Sequence, residues 1–496
     1  MASRGKQVSE LAELVAARVI GDAATLVTAI TDDSRTVRPG SLYFALRGSN
    51  VDGHDFVATA VRMGAAAVCV EHETSCGVTE MVVDDTRAVV GDLAAAFFDH
   101  PSHVMDVIGV TGTNGKTTVT HYIDSIGNQS GRVTGLVGTI HTRIAGEESP
   151  ATMTTPEACE FQRLLADMRE RGVSLAAAEI SSHGLAFGRV RGTRFAVAAF
   201  TNLSQDHLDF HGDMVSYRAA KERLFTDYEV GTAVINIDDE TGADIASGYR
   251  GELFTVGVGG DFTVEVMEPL PGRTRFSVAS PWGVARVEAP VTGDFNVSNL
   301  VIAVACSVAA GIAFHDVVDA LAGVAGVPGR FEVVSGDDPI TVIVDYAHTP
   351  EGVTRAVTAG RRLTRRRVIG LLGAGGDRDR AKRPAMGAAI SEADFAVVTS
   401  DNPRSEDPEE IVASVASGLR SDREHVIEVD RRRAIGIAIE AAEDGDIVLI
   451  MGRGHEPFQQ IGEEKVPFDD RVVAREALLR RRGSSDPGPA SGSISP

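Results

Sequence analysis

Residues 106–127 read DVIGVTGTNGKTTVTHYIDSIG, an apolar strand, a glycine-rich turn and the start of a helix. Gly112 and Gly115 free the backbone around Thr113 and Asn114 to point N–H groups at phosphate oxygens. Lys116 can reach the outer phosphates, Thr117, beside Thr118, can ligand Mg²⁺, and the helix N-terminus adds a favourable dipole. The strict phosphate-loop spacing is not met, because Val110 stands where its first Gly belongs. A bare strand-to-helix turn is the rival reading; Mg-ATP suits the arrangement better. Downstream lie three candidate metal groups: Glu179 in AAEISSHGL, His207 in TNLSQDHLDFHG and Lys221 in YRAAKERLF. Glu179 follows the apolar run SLAAA and is expected at a strand end, where ligands bind in such sheets. A protonated lysine is a poor metal ligand, so Lys221 is the puzzling member.

The elements that must position these groups are legible as a class. Apolar runs such as VMDVIGV, AVAAFTNL, TVIVDYA, ADFAVVTS and DIVLIMG alternate with Ala/Leu-rich helical patterns. Such runs suit strands buried on both faces of a parallel sheet, so the expected fold class is α/β. DHPSHVMDVIGV marks a boundary near residue 103 and GVPGRFEVV another near residue 330. Residues 250–290 alternate apolar and polar side chains and predict an antiparallel insertion. The Ser/Gly/Pro-rich segment 484–496 predicts a disordered tail.

Composition narrows the function. With 48 Lys+Arg against 70 Asp+Glu, a net charge of -22 leaves no excess of cations for general nucleic-acid binding. Four scattered cysteines (Cys69, Cys76, Cys159, Cys306) fit neither a disulfide framework nor a zinc site. The N-terminus lacks the apolar stretch of a signal peptide, and no run is long enough to span a membrane, so a cytoplasmic protein is expected.

TGTNGKTT resembles the phosphate-loop variant of the Mur ligases and their folylpolyglutamate synthetase relatives. The resemblance covers roughly residues 25–480 and implies three domains. They are a UDP-substrate-anchoring domain at 1–103, a central parallel-sheet P-loop ATPase at 104–330 and a dinucleotide-fold-like, amino-acid-binding domain at 331–483. It implies ATP as co-substrate with Mg²⁺, and a monomer. In the family the lysine matching Lys221 carries a CO₂-derived carbamate, which turns a cation into an oxygen ligand; the matching Glu179 and His207 share the metals. GDFNVSNLVIA, GVPGRFEVV and VIVDYAHTPEG are similar to motifs that place Asn299, Arg330, Asp345 and His348 near ATP. Read alone, Asn299 is equally a helix-start cap.

The resemblance also bears on the substrate. DDSRTVRPGSLYFALRG is similar to the uridine-anchoring segment of the members that add the third stem-peptide residue, placing Ser34 and Arg35 at uridine or diphosphate. Thr154, Thr155, Pro156, Ser182 and Arg189 match positions that hold the muramoyl dipeptide. Phe187 stands where relatives often carry Gln, which implies one lost polar contact. SDNPRSEDP, with Asp401, Asn402, Pro403 and Arg404, accompanies meso-diaminopimelate in the family. That amino acid has a carboxylate at its far end, which Arg404 can grip bidentately, whereas lysine has none. GAGGDRDRAKRP adds Arg378 and Arg383, and GRGHE, in place of the more usual GKGHE, adds Gly452 and Glu456. Rival readings are lysine addition, a folate-type polyglutamylase, a P-loop ATPase of another class and a silent nucleotide-sugar-binding paralogue.

Overall fold

The computed structural model describes residues 5–48 and 51–485. Among the described residues the contacts form two compact units: those up to 203 with 215–262 and 302–320, and 204–214 with 263–301 and those from 321 on. Each is α/β.

The first unit holds two large sheets and a two-stranded pair, Lys6–Gln7 with Leu26–Val27. A five-stranded sheet, Arg18–Ile20, Thr79–Val82, Ala65–Val70, Ser41–Phe44 and Ala29–Thr31 in spatial order, is parallel except at its first pair. The larger sheet runs Glu147–Pro150, His141–Ile144, Thr134–Val137, Leu175–Glu179, Asp106–Thr111, Phe195–Phe200, Val230–Asn236, Glu252–Val256. Its last six strands are parallel. Asp106–Thr111 and Leu175–Glu179 are neighbours, so the phosphate turn and Glu179 emerge together at the C-terminal edge. The Ala-rich strand LAAAE suits its place: Ala176 and Ala178 pack into a core with Phe161, Leu165 and Met168, where larger side chains would not fit.

In the second unit, strands Thr341–Asp345, Ile447–Met451, Val368–Ala374, Phe395–Ser400 and Glu424–Ile427 form a parallel sheet, edged by the antiparallel Glu332–Val333. VIGLLGA, FAVVTS and IVLIM are buried along their whole length, which is why they carry no polar alternation. The helices start on the expected chemistry. Thr349 caps Pro350–Leu363 and Asp407 caps Pro408–Ala416, each with proline at the first turn.

The antiparallel insertion is smaller than expected. Thr263–Leu270, Arg273–Ser280 and Gly283–Ala289 form a separate antiparallel sheet, but Glu252–Val256 joins the parallel sheet of the first unit instead. It is an edge strand, half exposed, and so shows the alternation of a solvated strand. At the C-terminus helix Asp470–Ser485 runs two residues into the expected tail, and residues 486–496 lie outside the described residues.

One buried ion pair secures strand ends in the second unit. Arg431 donates to both oxygens of Asp470, at 2.8 and 2.6 Å, and to the carbonyls of Ser400 and Met451; both side chains are fully buried. Asp470→Ala strands a buried guanidinium and is expected to cost about 3–5 kcal/mol. Urea denaturation of variant and parent checks it; a loss within ordinary surface variation would contradict the structural role.

Candidate active site

At the phosphate turn Gly112 has φ 143° and Gly115 φ 91°, both in the region glycine favours. A Cβ on Gly112 would lie 1.9 Å from the Thr201 hydroxyl, so the tight approach of the two strand ends also requires glycine. Asn202 splints the turn: its carbonyl accepts from Thr113 N at 2.8 Å, its side-chain oxygen from Asn114 N at 3.0 Å, and its amide donates to Asn114 O. Thr201 donates to the same Asn114 carbonyl at 2.6 Å. Lys116 Nζ folds over the turn onto the carbonyls of Gly112 and Thr113, at 2.8 and 2.9 Å. Lys221 Nζ, on a buried side chain, donates to the same Gly112 carbonyl at 2.7 Å and lies 4.4 Å above the Tyr217 ring. Two lysine nitrogens thus meet on one carbonyl, while the Thr113 and Asn114 N–H groups, expected to face phosphate, are turned onto Asn202.

The buried Glu179 faces this spot. Its carboxylate accepts from the Thr117 hydroxyl at 2.8 Å, from Thr139 N at 2.7 Å and from the Thr139 hydroxyl at 3.1 Å. These donors are all neutral. A hard divalent ion takes hydroxyl and carboxylate oxygens of this kind, and Thr117 and Glu179 fit one. Among the described residues no three His, Cys, Asp or Glu side chains converge as a metal cluster. His207 belongs to the second unit; its ring lies 3.5 Å from Asp206.

The segment MTTPEA runs from Glu179 to a separate cavity. Thr154 shares a hydrogen bond with Thr139, and Thr155 donates to the Glu179 carbonyl. Arg189 donates to the Thr155 carbonyl and pairs with Glu157 at 2.8 Å. Ser182 is buried in the short helix Ser182–Ala186 that follows the Glu179 strand. Pro156 and Glu157 line a cavity of about 1000 Å³, whose other walls include Ser34, Arg35, Tyr43 and Phe56. Arg35 is exposed and its guanidinium is held by Asp33 through three hydrogen bonds, so a ligand anion there competes with Asp33.

Sequence reasoning missed two features of this region. Asp32 lines the cavity with one carboxylate oxygen buried and without a hydrogen-bond partner; burial, then the charge of Glu157, raise its pKa to about 6. The doubled acid in DDSR was the only signal. Phe187, expected as a lost contact, has Arg87 and Arg189 over its ring at 4.7 and 5.4 Å, with Glu157 in reach of both guanidiniums. The ring orients two cations instead of donating a bond. Phe187→Leu, which keeps apolar bulk but loses both cation–π contacts, is expected to raise KM for an anionic substrate of this cavity roughly 5–30-fold. Steady-state kinetics with that substrate varied are the check, and an unchanged KM would remove the ring from the site.

In the second unit, strands 447–451, 368–374 and 395–400 lie side by side and deliver the remaining candidates at one edge. Asp401 and Asn402 are buried just after their strand. Gly452, at φ 116°, carries no side chain because a Cβ would lie 2.6 Å from the Asp401 carboxylate. Asn402 donates to Glu456 at 2.6 Å. Burial, then the charge of Asp401, push the Glu456 carboxyl above the usual range. Arg404, after Pro403, has a left-handed backbone (φ 51°), pinned by backbone hydrogen bonds to Gln460 and Gly462. Its guanidinium donates to the Gly376 carbonyl and forms no ion pair among the described residues. Arg378 is exposed on the adjoining loop. Arg383 is buried and bound to Glu406 and to the Gly375 carbonyl.

The residues expected near ATP in this unit are anchored in detail. Asp345 spends its oxygens on the backbone N–H of Phe331 and Ala347, at 2.7 and 2.8 Å, and burial raises its pKa. Arg330 lies 4.3 Å from the Tyr346 ring, and Asn299 donates weakly to Asn296. His348 bonds the Tyr346 carbonyl through Nδ1 and faces Asp206 at 3.7 Å through Nε2. Lys382 lies 3.6 Å from the same carboxylate, and His348 first, then Lys382, hold Asp206 far below the usual acid range despite its burial.

The chain matches the Mur ligase family catalytic domain over residues 26–98, the Mur ligase middle domain over 110–307 and the Mur ligase glutamate ligase domain over 329–454. The chain belongs to the Mur ligase family. Among curated Mur ligases it is similar to the UDP-N-acetylmuramoyl-L-alanyl-D-glutamate--2,6-diaminopimelate ligase of Geobacillus thermodenitrificans, 45% identical over 92% of this chain and 96% of that protein. The ligase of the same name from Gloeobacter violaceus is 46% identical over 92% of this chain and 94% of its own. A solved structure of a ligase with that name is 32% identical and superposes with a TM-score of 0.69, covering 96% of this chain and 99% of that one. Mycobacterium tuberculosis folylpolyglutamate synthase, complexed with ADP and AMPPCP, shares the fold at 20% identity and a TM-score of 0.61, over 81% of this chain and 96% of that one. The three-domain Mur ligase architecture therefore accounts for the three parallel-rich sheets.

Proposed function

We propose that this Mur ligase adds meso-diaminopimelate to UDP-N-acetylmuramoyl-L-alanyl-D-glutamate, with ATP as co-substrate, in peptidoglycan precursor synthesis. The observation that carries the reading is Arg404, a guanidinium free of ion pairs among the described residues beside the Asn402–Glu456 pair. A carboxylate for the arginine and an ammonium for the glutamate are what the far end of diaminopimelate offers. The identity to ligases of this name over more than nine-tenths of the chain supports it.

The γ-phosphoryl group of ATP passes to the free carboxylate of the dipeptide, giving an acyl phosphate and ADP. The amine of diaminopimelate attacks the acyl carbon, phosphate leaves with the former carboxylate oxygen, and the amine proton goes to solvent. Lys116 and the backbone N–H groups at the start of helix Lys116–Gln129 hold the phosphates and offset the charge that spreads over the transferring group. We assign Mg²⁺ to Thr117, Glu179, His207 and Lys221, the last as a carbamate; when bound it neutralises phosphate charge. Thr113, Asn114, Gly115 and Thr118, with Asn299, Arg330, Asp345 and His348, are assigned to ATP. Ser34, Arg35, Thr154, Thr155, Pro156, Ser182 and Arg189 are assigned to the UDP-muramoyl dipeptide. Arg378, Asp401, Asn402, Pro403, Arg404, Gly452 and Glu456 are assigned to diaminopimelate. Domains at 1–103, 104–330 and 331–483, a monomer and a cytoplasmic location complete the proposal. Among the described residues no helix is long and apolar enough to cross a membrane.

The test is phosphate release by purified protein with Mg-ATP and UDP-muramoyl dipeptide, adding meso-diaminopimelate, L-lysine or neither. Release that depends on diaminopimelate supports the proposal. Lysine-dependent release would overturn the amino-acid assignment, and release indifferent to any amino acid would point to a plain ATPase.

A further inference from the structure

Arg453 is the least expected side chain in the second unit: a guanidinium with no exposed surface, one residue past the Gly452 turn. Its carboxylate contacts are long, and none is a hydrogen bond. Asp470 and Glu456 are each 3.9 Å away, and Asp470 is already engaged twice by Arg431. Its hydrogen bonds go to Asn402 Oδ1 at 2.7 Å and to the carbonyls of Phe458 and Phe468. Burying a charge on neutral acceptors is costly, so an apolar side chain of similar volume would fill this space at least as well. What the arginine supplies is orientation.

A side-chain amide has an accepting and a donating end of nearly equal shape, and its surroundings alone choose which way it faces. Asn402 Oδ1 accepts from two donors, Arg453 Nη1 at 2.7 Å and the Gln460 backbone N–H at 2.8 Å. With Oδ1 committed there, Nδ2 must face Glu456, and it does so at 2.6 Å on Oε2. The reversed amide would set oxygen against carboxylate on one side and two donors against NH₂ on the other. The strand Phe458–Ile461 completes the lock, with Gln459 donating to the Asp401 carbonyl and Gln460 and Gly462 bonding the Arg404 backbone.

We propose that Arg453 is a positioning residue of the amino-acid pocket, fixing the Asn402 amide so that Asn402 and Glu456 present a preset edge to the incoming amino acid. This rests on the reading of Asn402 and Glu456 as amino-acid contacts. Arg453 touches no substrate; it acts through Asn402.

The experiment measures kcat and the three KM values of full-length Arg453→Met, Arg453→Lys and Glu456→Gln, with thermal unfolding alongside. Arg453→Met raises KM for diaminopimelate roughly 10–100-fold while kcat and the KM values for ATP and the nucleotide-sugar stay within about threefold. Arg453→Lys, which keeps one donor for Asn402 but cannot also span both carbonyls, shows a smaller rise confined to the same constant. Should the Met variant fail to fold, the Lys variant alone decides: a diaminopimelate KM equal to the parent's, or a rise shared by all three substrates, overturns the proposal. Glu456→Gln separates the two layers. Unchanged diaminopimelate KM in that variant overturns the pocket reading and the inference with it. A raised KM there with flat Arg453 variants overturns the inference alone.

Discussion

Lys116→Ala is expected to lower kcat for phosphate release roughly 10²–10³-fold, the usual cost of removing one preorganised charge from a transition state. Lys116 Nζ rests on the Gly112 and Thr113 carbonyls, at the glycine-rich turn that opens the helix. An approaching phosphate can draw the ammonium off two neutral carbonyls at little cost, because a charge-assisted bond is roughly twice as strong as a neutral one. The helix Lys116–Gln129 adds its N-terminal dipole, but a dipole is weaker than a full charge and does not replace it. Thr117, Glu179 and the splint from Asn202 do not depend on Lys116, so the variant should unfold at the parent temperature. Single-turnover assays of acyl-phosphate formation, with dipeptide and Mg-ATP but no amino acid, would place the loss on phosphoryl transfer. Parent-like rates in the folded variant would sink the nucleotide assignment.

How much of this was legible depended on whether the cause was local. The parallel strands could be read because burial on both faces leaves continuous apolar runs, as in VIGLLGA and IVLIM. The phosphate turn could be read because positive φ at Gly112 and Gly115 demands glycine at fixed spacing. Glu179 was placed at a strand end from the run before it, and Leu175–Glu179 ends there. What failed was non-local. Glu252–Val256 looked antiparallel because an edge strand alternates whichever way its one neighbour runs. The partner of Arg383 was hidden because nothing in its own motif announces Glu406, 23 residues away. Nothing in GRGHE announces that three acceptors from separate segments converge on Arg453. Phe187 was judged by the polar bond it cannot make, and its two guanidinium partners come from 100 residues upstream and two downstream.

Arg404→Met is expected to be the most selective lesion in the molecule, lowering kcat/KM for diaminopimelate roughly 10²–10³-fold, the effect of stranding a buried substrate carboxylate. The backbone of Arg404 is held in a left-handed turn by Gln460 and Gly462, so the loop keeps its course when the side chain changes. Only the Gly376 carbonyl loses a donor, and it still accepts whatever water offers. Methionine matches the length of the apolar stem, which separates loss of charge from loss of bulk. The sign with lysine is the opposite. Lysine brings an ammonium for Glu456 and no distal carboxylate, so removing Arg404 deletes no attraction and relieves one like-charge repulsion. Its own kcat/KM should hold steady or rise. The ratio of the two specificity constants, measured in one preparation, therefore collapses by about the full diaminopimelate loss. Equal loss on both amino acids would mean that Arg404 supports the turn, and the discrimination would have to come from Arg378 or from elsewhere in the second unit.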